Sequence, residues 1–263
     1  MSAAALKTGL AVQANVVGAL LMREIHTRYG RDNIGYLWMF VEPAILTLAV
    51  LAIHAGAPGG AEGHGIDPAP FTIIGYSTFI LFRSIFTRAE GILESNGPLL
   101  YHRQVTIFDM VLARALLELG SSLSVLALLL TAAVLFGYAQ PPERPLAMLA
   151  GIAYLWIWSF GLALIVTAAT NENRVVEKFV HPISYILLPL SGAFYMVSWL
   201  PQPYRDWVAK FPMTQMFELI RYGQFSAAED TYVEPVYLAF WCAGVLLAGL
   251  LAVRAVRSHV QIN

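Results

Sequence analysis

The segment AMLAGIAYLWIWSFGLALIVTAA, residues 147–169, decides the fold, because it runs for more than 20 positions without a charged side chain. A helix that crosses a bilayer needs about 20 mainly apolar residues. Five further stretches meet this requirement, at 34–54, 71–91, 117–137, 182–199 and 236–253. The sequence therefore predicts an all-α membrane protein with six transmembrane helices, organised as a single transmembrane domain over residues 1–263.

The composition agrees with this fold and excludes several classes of protein. Apolar residues make up 58% of the chain and charged residues 13%, whereas soluble domains carry about 25% charged residues. This balance excludes an ordinary cytosolic enzyme and a nucleic-acid binder. Cys242 is the single cysteine, so a secreted disulfide scaffold is excluded as well.

The sequence lacks a motif for ATP hydrolysis. Gly30 and Gly35 have the spacing that opens a phosphate-binding loop, but Tyr36-Leu37 stand where Lys and Ser or Thr are required. The glycine-rich stretch 56–65 has histidines and carboxylates nearby, and we interpret it as a flexible external turn rather than a metal site. We expect that the chain is not a self-contained enzyme and has no metal site and no cofactor of its own.

The distribution of basic residues predicts the orientation. Six spans put both termini on one side, and that side holds eleven of the sixteen Lys and Arg residues, against four on the opposite side. Because cytoplasmic loops are enriched in Lys and Arg, both termini are predicted to be cytoplasmic. The 55–70 loop contains neither residue type and fits an external position.

Residues 6–30, before the first span, have the pattern of an amphipathic helix. Val17, Leu21 and Ile25 recur at helical spacing. We predict a helix that lies along the cytoplasmic interface of the membrane. The alternative is a seventh, poorly inserted span, since residues 9–22 are apolar.

One face of the second span combines aromatic and charged residues. At 100° per residue, the side chains that share this arc are Tyr76, Phe79, Arg83, Phe86 and Glu90. A charge at mid-span costs at least about 2.5–3.5 kcal/mol, so Arg83 requires a partner or an aqueous path. Two interpretations stay open. The face is a conduit wall whose rings stack on sugars and whose arginine attracts anionic groups, or Arg83 forms a buried ion pair with Glu42 or Glu90 that locks helices together.

The first span contains an interior carboxylate next to a proline, at Glu42-Pro43. Pro43 frees a backbone carbonyl and can kink the helix. Glu42 either lines the conduit or is a protonated, hydrogen-bonded structural carboxyl. Trp38 has the place of an interfacial anchor, and together with Tyr195 it completes the candidate conduit residues.

The cytoplasmic connection at residues 92–108 is amphipathic and interrupted by Gly97-Pro98. Its apolar residues require a partner, so we predict a short helix that docks on a cytosolic protein. A helix that rests on lipid headgroups is the alternative. The candidate docking residues are Glu94, Leu99, Leu100, Tyr101, His102 and Arg103.

Residues 200–235 are external in this topology and too long for a bare turn. Apolar residues at helical spacing predict two short helices, either re-entrant or interfacial. Pro201 begins this segment. Glu218 and Arg221 are three positions apart, a spacing that favours a structural ion pair on one helix.

These features, in this order, resemble the ABC-2 type permease family. The stretch MREIHTRYG at 22–30, followed by IGYLW at 34–38 and Glu42-Pro43, is similar to the family's entry to its first span. The stretch PLSGAFY at 189–195 is similar to its fifth span. The residues after it that resemble the family's external hairpin are Leu200-Pro201, Pro212, Glu218 and Arg221. Phe211 departs from the family, which often has asparagine before the later proline.

Within the family, the resemblance is to capsular polysaccharide export permeases. It implies a homodimer of six-span subunits with two copies of a separate ATPase subunit, on which ATP and Mg bind. It implies export of a lipid-linked, usually acidic polysaccharide across the bacterial inner membrane, with a periplasmic co-polymerase-type adaptor and an outer-membrane exporter as further partners. Residues 6–30 are then a gate-type interfacial helix, 94–104 the coupling helix and 200–232 the re-entrant hairpin.

Other functions stay open on the sequence alone. A permease for O-antigen or teichoic acid shares the family's features. A membrane enzyme that acts on lipid-linked sugars needs a cluster of carboxylates or histidines, for which Glu90, Glu94 and His102 are the candidates. A secondary transporter is disfavoured because the two halves have no evident inverted repeat.

Overall fold

The computed structural model describes residues 3–29, 35–54, 65–96 and 105–257. Across these ranges the chain is helical and contains no strand, so the predicted all-α class is confirmed. The helices in chain order are α1 (Ala3–Tyr29), α2 (Gly35–His54), α3 (Pro68–Thr87), α4 (Ile92–Asn96), α5 (Ile107–Leu135), α6 (Pro145–Glu172), α7 (Glu177–Leu190), α8 (Tyr204–Ala209), α9 (Pro212–Gln224) and α10 (Pro235–Arg257). Short 3₁₀ helices at Arg174–Val176 and Val197–Trp199 precede α7 and α8.

Within the described ranges, five helices are long and apolar enough to cross a membrane. They are α2, α3, α5, α6 and α10, and they coincide with five of the six predicted spans. These five spans could be predicted because a helix that crosses the bilayer needs about 20 mainly apolar residues, and such stretches are visible in the sequence.

The fifth predicted span, 182–199, differs from the structure. The helix at this place, α7, begins at Glu177 and ends at Leu190. Its 14 residues reach about 21 Å, less than the roughly 30 Å of a hydrocarbon core. Gly192, at φ +79°, then turns the chain in a conformation that glycine adopts far more easily than other residues.

The third span begins earlier than predicted, at Ile107 instead of 117. The hydroxyl of Thr106 accepts a hydrogen bond from the Asp109 backbone N–H at 3.2 Å, and the Asp109 carboxylate accepts one from the Thr106 N–H at 3.0 Å. This reciprocal capping box fixes the start of α5. The last residues of the predicted 92–108 connection therefore belong to α5.

The helices α6 and α10 approach each other through glycine. A Cβ atom on Gly249 would lie 2.6 Å from the carbonyl oxygen of Gly161, and one on Gly161 would lie 2.9 Å from the backbone nitrogen of Leu246. Small residues at such contacts let two membrane helices pack at short distance. A larger side chain at either glycine would force α6 and α10 apart.

The 200–235 segment contains the two short helices that the sequence predicts, α8 and α9. The second of them packs against α6 at close range, since a Cβ atom on Gly223 would lie 2.4 Å from the backbone nitrogen of Met148. Most side chains of α9 are buried. This short helix is therefore packed inside the protein instead of lying on its surface.

Two helices, α2 and α7, present exposed apolar faces. In Tyr36–Ile53 of α2 only 6% of the residues are buried. The large exposed apolar residues of these helices are Tyr36, Leu37, Trp38, Ile45, Leu46, Leu48 and Ile53 in α2, and Phe179, Ile183, Tyr185, Ile186 and Leu190 in α7. Such faces require lipid or a protein partner.

The N-terminal helix α1 packs against α5. Val17 is buried, and the amide nitrogen of Gln13 donates to the Asp109 carboxylate at 3.0 Å. Nearer its end, the Glu24 carboxylate accepts a hydrogen bond from Arg114 at 3.0 Å. The predicted helix at 6–30 is thus present, with Ala3–Tyr29 as its observed bounds.

Candidate functional site

A polar cavity of about 250 Å³ lies between α2, α3, α5 and α7. Its lining residues are Met39, Glu42, Pro43, Leu46, Tyr76, Ile80, Arg83, Ser84, Thr87, Arg88, Glu118, Ser121, Ser122 and His181. Three of the predicted conduit residues, Glu42, Tyr76 and Arg83, meet here although they come from two different helices. Polar groups at the middle of membrane helices are costly unless they face one another or an aqueous space, and this cavity supplies such a space.

Arg83 lies on the cavity wall without an anionic partner. Its guanidinium is 4.3 Å from the centroid of the Tyr185 ring. It forms no ion pair with any residue in the described part of the chain, so the proposed pair with Glu42 or Glu90 is not formed. A cation–π contact contributes about 0.5–2 kcal/mol and leaves the guanidinium hydrogens available to an anionic ligand.

Glu90 is paired with His181, a residue that the sequence analysis does not predict for the site. One carboxylate oxygen of Glu90 lies 2.9 Å from Nε2 of His181, and the other is buried with no hydrogen-bond partner among the described residues. His181 comes from α7 and also lines the cavity. His181 stands one residue before the predicted fifth span at 182–199, so the sequence prediction left it outside the membrane region.

The α5 wall of the cavity was also missed. Glu118, Ser121 and Ser122 share one face of this helix, because residues three and four apart lie together. Glu118 accepts a hydrogen bond from Arg88 at 2.9 Å. In the described ranges no three His, Cys, Asp or Glu side chains converge as a metal site would require.

Two predicted conduit residues lie elsewhere. The side chains of Phe79 and Phe86 are only 2% and 6% exposed and belong to the hydrophobic core. They lie on either side of Phe82, with ring centroids 5.9 and 5.5 Å from its own. The arc that includes Arg83 thus borders the cavity at Arg83 and the core at Phe79 and Phe86.

Replacing Phe86 with alanine is expected to destabilise the protein by about 3–5 kcal/mol, because the change leaves a cavity in the core. Thermal unfolding in detergent micelles measures the loss. Phe136, which is 77% exposed, is the matched control, and its alanine variant should differ from the wild type by no more than about 0.5 kcal/mol. Equal losses from the two variants would contradict the core assignment.

The remaining conduit candidates lie outside the cavity. Trp38 is 53% exposed on the surface of α2, as an interfacial anchor would be. Tyr195 is half-buried, and its carbonyl oxygen accepts a hydrogen bond from Arg221. The ring of Tyr76 stacks on Phe194 at 6.2 Å, which connects the cavity wall to the turn after α7.

A second polar cluster surrounds Arg221 of α9. This side chain is fully buried and donates hydrogen bonds to the carbonyl oxygens of Ala193, at 2.7 Å, and of Tyr195. Its guanidinium lies 4.1 Å from the centroid of the Phe71 ring. A Cβ atom on Gly75 would lie only 2.1 Å from the Ala193 carbonyl, so α3 passes directly against the turn that Arg221 holds.

Glu218 completes this cluster. Its carboxylate lies 3.8 Å from Arg221 and accepts a hydrogen bond from the Val197 backbone N–H at 3.1 Å. Burial raises the pKa of Glu218, and burial lowers the pKa of Arg221 to about 10, which keeps the arginine charged at neutral pH. The two side chains meet as their spacing predicts. The burial of both side chains fits a structural role. Pro201, the other residue predicted for the external hairpin, is exposed.

The predicted docking segment is described only at its beginning. Glu94 of α4 is exposed and accepts a hydrogen bond from Arg174, which lies between α6 and α7. The other predicted docking residues, Leu99, Leu100, Tyr101, His102 and Arg103, lie outside the described residues. Within the described ranges, Glu90 is paired with His181 and Glu94 with Arg174.

Comparison with known proteins adds a family and several relatives. Residues 15–225 match the profile of the ABC-2 type transporter family. The chain is 35% identical to the capsule polysaccharide export inner-membrane protein CtrC of Neisseria meningitidis serogroup A, over 96% of this chain and 95% of CtrC. It is 34% identical to the capsule polysaccharide export inner-membrane protein BexB of Haemophilus influenzae, over 94% and 93%. It is 28% identical to the polysialic acid transport protein KpsM of Escherichia coli, over 94% and 96%.

Proposed function

The chain belongs to the ABC-2 type transporter family, and from this premise we propose that it is the permease subunit of an ATP-binding cassette exporter. Its substrate is a lipid-linked, acidic capsular polysaccharide, which it moves across the bacterial inner membrane. The similarity to CtrC and BexB supports this function, since it extends over nearly the whole of each protein. The polar cavity is the proposed path of the polymer.

The single observation that carries the choice of substrate is the unpaired cation in the cavity. Arg83 faces a polar space and, among the residues that the structure describes, contacts the ring of Tyr185 and forms no ion pair. Guanidinium groups pair with carboxylates and phosphates through two parallel hydrogen bonds, and they are less strongly hydrated than ammonium groups. An acidic sugar or a phosphate-linked lipid anchor supplies the missing anion.

The proposed topology has six spans. The short helix α7 and the turn after it form the fifth, and both termini lie in the cytoplasm as the basic residues indicate. On this orientation α8 and α9 form a re-entrant hairpin on the external side. The burial of α9 against α6 supports a hairpin that enters the protein instead of lying on its surface.

The helix α1 is proposed to lie along the cytoplasmic interface. Its contacts from Gln13 to Glu24 extend about 16 Å along α1, whereas their partners on α5, Asp109 and Arg114, are only about 8 Å apart along that helix. If α1 ran parallel to α5, the contacting residues would be equally far apart along both helices. The unequal distances indicate that α1 crosses α5 near the start of α5, and this crossing supports the interfacial position.

The working exporter is proposed to be a homodimer with two ATPase subunits. The exposed apolar faces of α2 and α7 border the cavity, so a second copy would cover both faces and enclose the path. ATP and Mg bind to the ATPase subunits, for which the segment around α4 is the docking site. A periplasmic co-polymerase-type adaptor and an outer-membrane exporter complete the assembly.

Cells provide the test of this function. In a capsulated bacterium that lacks the corresponding permease, wild-type protein is expected to restore surface polymer and to co-purify with a cytosolic ATPase. Polymer should remain inside cells that lack the protein. Restored enzymatic processing of a lipid-linked sugar without an ATPase partner would contradict the proposal and favour a membrane enzyme.

Exchanging the charges of the Glu94 and Arg174 pair tests the docking segment. Both side chains are largely exposed, so each change should cost less than about 1 kcal/mol of stability. If α4 transmits movement of the ATPase, Glu94→Lys is expected to lower surface polymer several-fold, and Arg174→Glu in the same chain to recover most of it. Surface polymer is quantified on cells, with the exposed residue Glu229 changed to lysine as control. Equal export by Glu94→Lys and the control would contradict this role.

A further inference from the structure

One hydrogen bond in the cavity wall replaces a bond that a proline removes. Pro43 has no N–H, so it cannot donate to the carbonyl of Met39, four residues earlier in α2. The hydroxyl of Ser121, on α5, donates to that carbonyl at 2.9 Å. The neighbouring helix therefore supplies the donor that α2 lacks.

This bond matters because α2 is otherwise weakly held. Thr47 is the one buried residue in Tyr36–Ile53, and its hydroxyl is a longer 3.4 Å from that of Ser77 on α3. In a membrane helix an unsatisfied carbonyl is costly unless water reaches it. Displacement of α2 from α5 would leave the Met39 carbonyl without a partner, so the Ser121 bond restrains α2 at the level of its proline.

The bond also lies on the cavity. Ser121, Met39 and Pro43 all line it, and so does Glu42, which precedes Pro43 on α2. Arg83 is on the adjacent wall, formed by α3. The position of α2 against α5 therefore sets how far Glu42 stands from Arg83 and how wide the cavity is.

We propose that Ser121 is a positioning residue for export. By donating to the carbonyl that Pro43 leaves free, it fixes the bend of α2 and keeps the cavity at the width the polymer requires. Its role in export rests on the proposed function, whereas the restraint on α2 does not. The two are therefore tested by separate measurements.

Hydrogen–deuterium exchange of the purified protein in lipid nanodiscs measures the restraint. Ser121→Ala is expected to speed exchange of the amides of α2 by about fivefold, the change that loss of one ordinary hydrogen bond produces. Ser121→Thr keeps a hydroxyl and should retain slow exchange. Ser124 is the matched control, since it is exposed on the same helix and donates to the Gly120 carbonyl of its own helix.

A double variant makes the test specific to the proline. Pro43→Ala restores an N–H that can bond to the Met39 carbonyl within α2. In this background Ser121→Ala should speed exchange by less than about twofold, because a single ordinary hydrogen bond is already in place. An equal effect of Ser121→Ala with Pro43 and with alanine at this position would overturn the proposal, as would no effect in either.

Surface polymer then tests the role in export. Ser121→Ala is expected to lower it several-fold, Ser121→Thr to restore it and Ser124→Ala to leave it unchanged. If Ser121→Ala exports normally while Arg83→Gln does not, the positioning role is wrong. If the proline dependence of exchange holds but even Arg83→Gln exports normally, the proposed function fails and the restraint on α2 stands.

Discussion

Arg221→Met is expected to destabilise the protein by about 3–5 kcal/mol, the cost of removing one partner from a buried charge pair. The change leaves the carbonyl oxygens of Ala193 and Tyr195 without their donor and leaves the buried carboxylate of Glu218 without its cation. For a chain of this size the loss corresponds to roughly 10 °C in Tm. Thermal unfolding in detergent, followed by size-exclusion chromatography, measures it.

Three further variants separate the contributions to this loss. Arg221→Lys should be intermediate, because an ammonium group lacks the planar fork that bonds to two carbonyls. Adding Glu218→Gln to Arg221→Met should recover part of the loss, since it removes the uncompensated charge. Arg254, exposed at the end of α10, is the matched control for a change to methionine. A Tm for Arg221→Met equal to that of the control would contradict the structural role.

Arg83→Gln is expected to reduce export at least tenfold with little change in stability. A hydrogen bond to a charged group contributes about 1.5–3 kcal/mol, and each 1.4 kcal/mol corresponds to a factor of ten. Stability should fall by no more than about 2 kcal/mol, because within the described ranges the half-buried guanidinium makes a cation–π contact with Tyr185 and no ion pair. Surface polymer on cells and Tm in detergent measure the two effects.

The controls for Arg83 follow from its chemistry. Arg83→Lys keeps the charge and should retain part of the export activity, and Arg254→Gln should retain all of it. The Arg83 change is made alone, because adding Phe86→Ala would combine a site effect with the loss of a core ring. Unchanged export by Arg83→Gln, in protein present at the normal amount, would exclude a role for this residue in the path.

The sequence predicts the long helices because the membrane imposes a length and an apolar surface on each of them. It fails at α7, where the helix ends after 14 residues and Gly192 turns the chain. Apolar composition continues past Leu190 and outweighed the stop signal that Gly192 provides. The start of α5 was in principle readable from Thr106 and Asp109, whose spacing is that of a capping box.

Part of the candidate site could be predicted from the sequence. Arg83 and Glu42 stand out because charges are expensive in a bilayer, and the structure places both on the cavity. Ser121 shares a helix face with Glu118, a spacing that was visible in the sequence. The burial of Phe86 could not be predicted, because one helical arc does not reveal which neighbouring helix covers each part of it.

The central claim, that the cavity carries the polymer, is tested most directly by photocrosslinking in exporting cells. A photoreactive phenylalanine analogue is placed at Ile80 or Ser122 on the cavity wall, and at Leu128 on the outer face of α5, which is 61% exposed, as control. The account predicts adducts that are sensitive to a polymer-degrading enzyme at Ile80 and Ser122 and none at Leu128. Adducts at Leu128 alone, or none at the cavity positions while export continues, would contradict it.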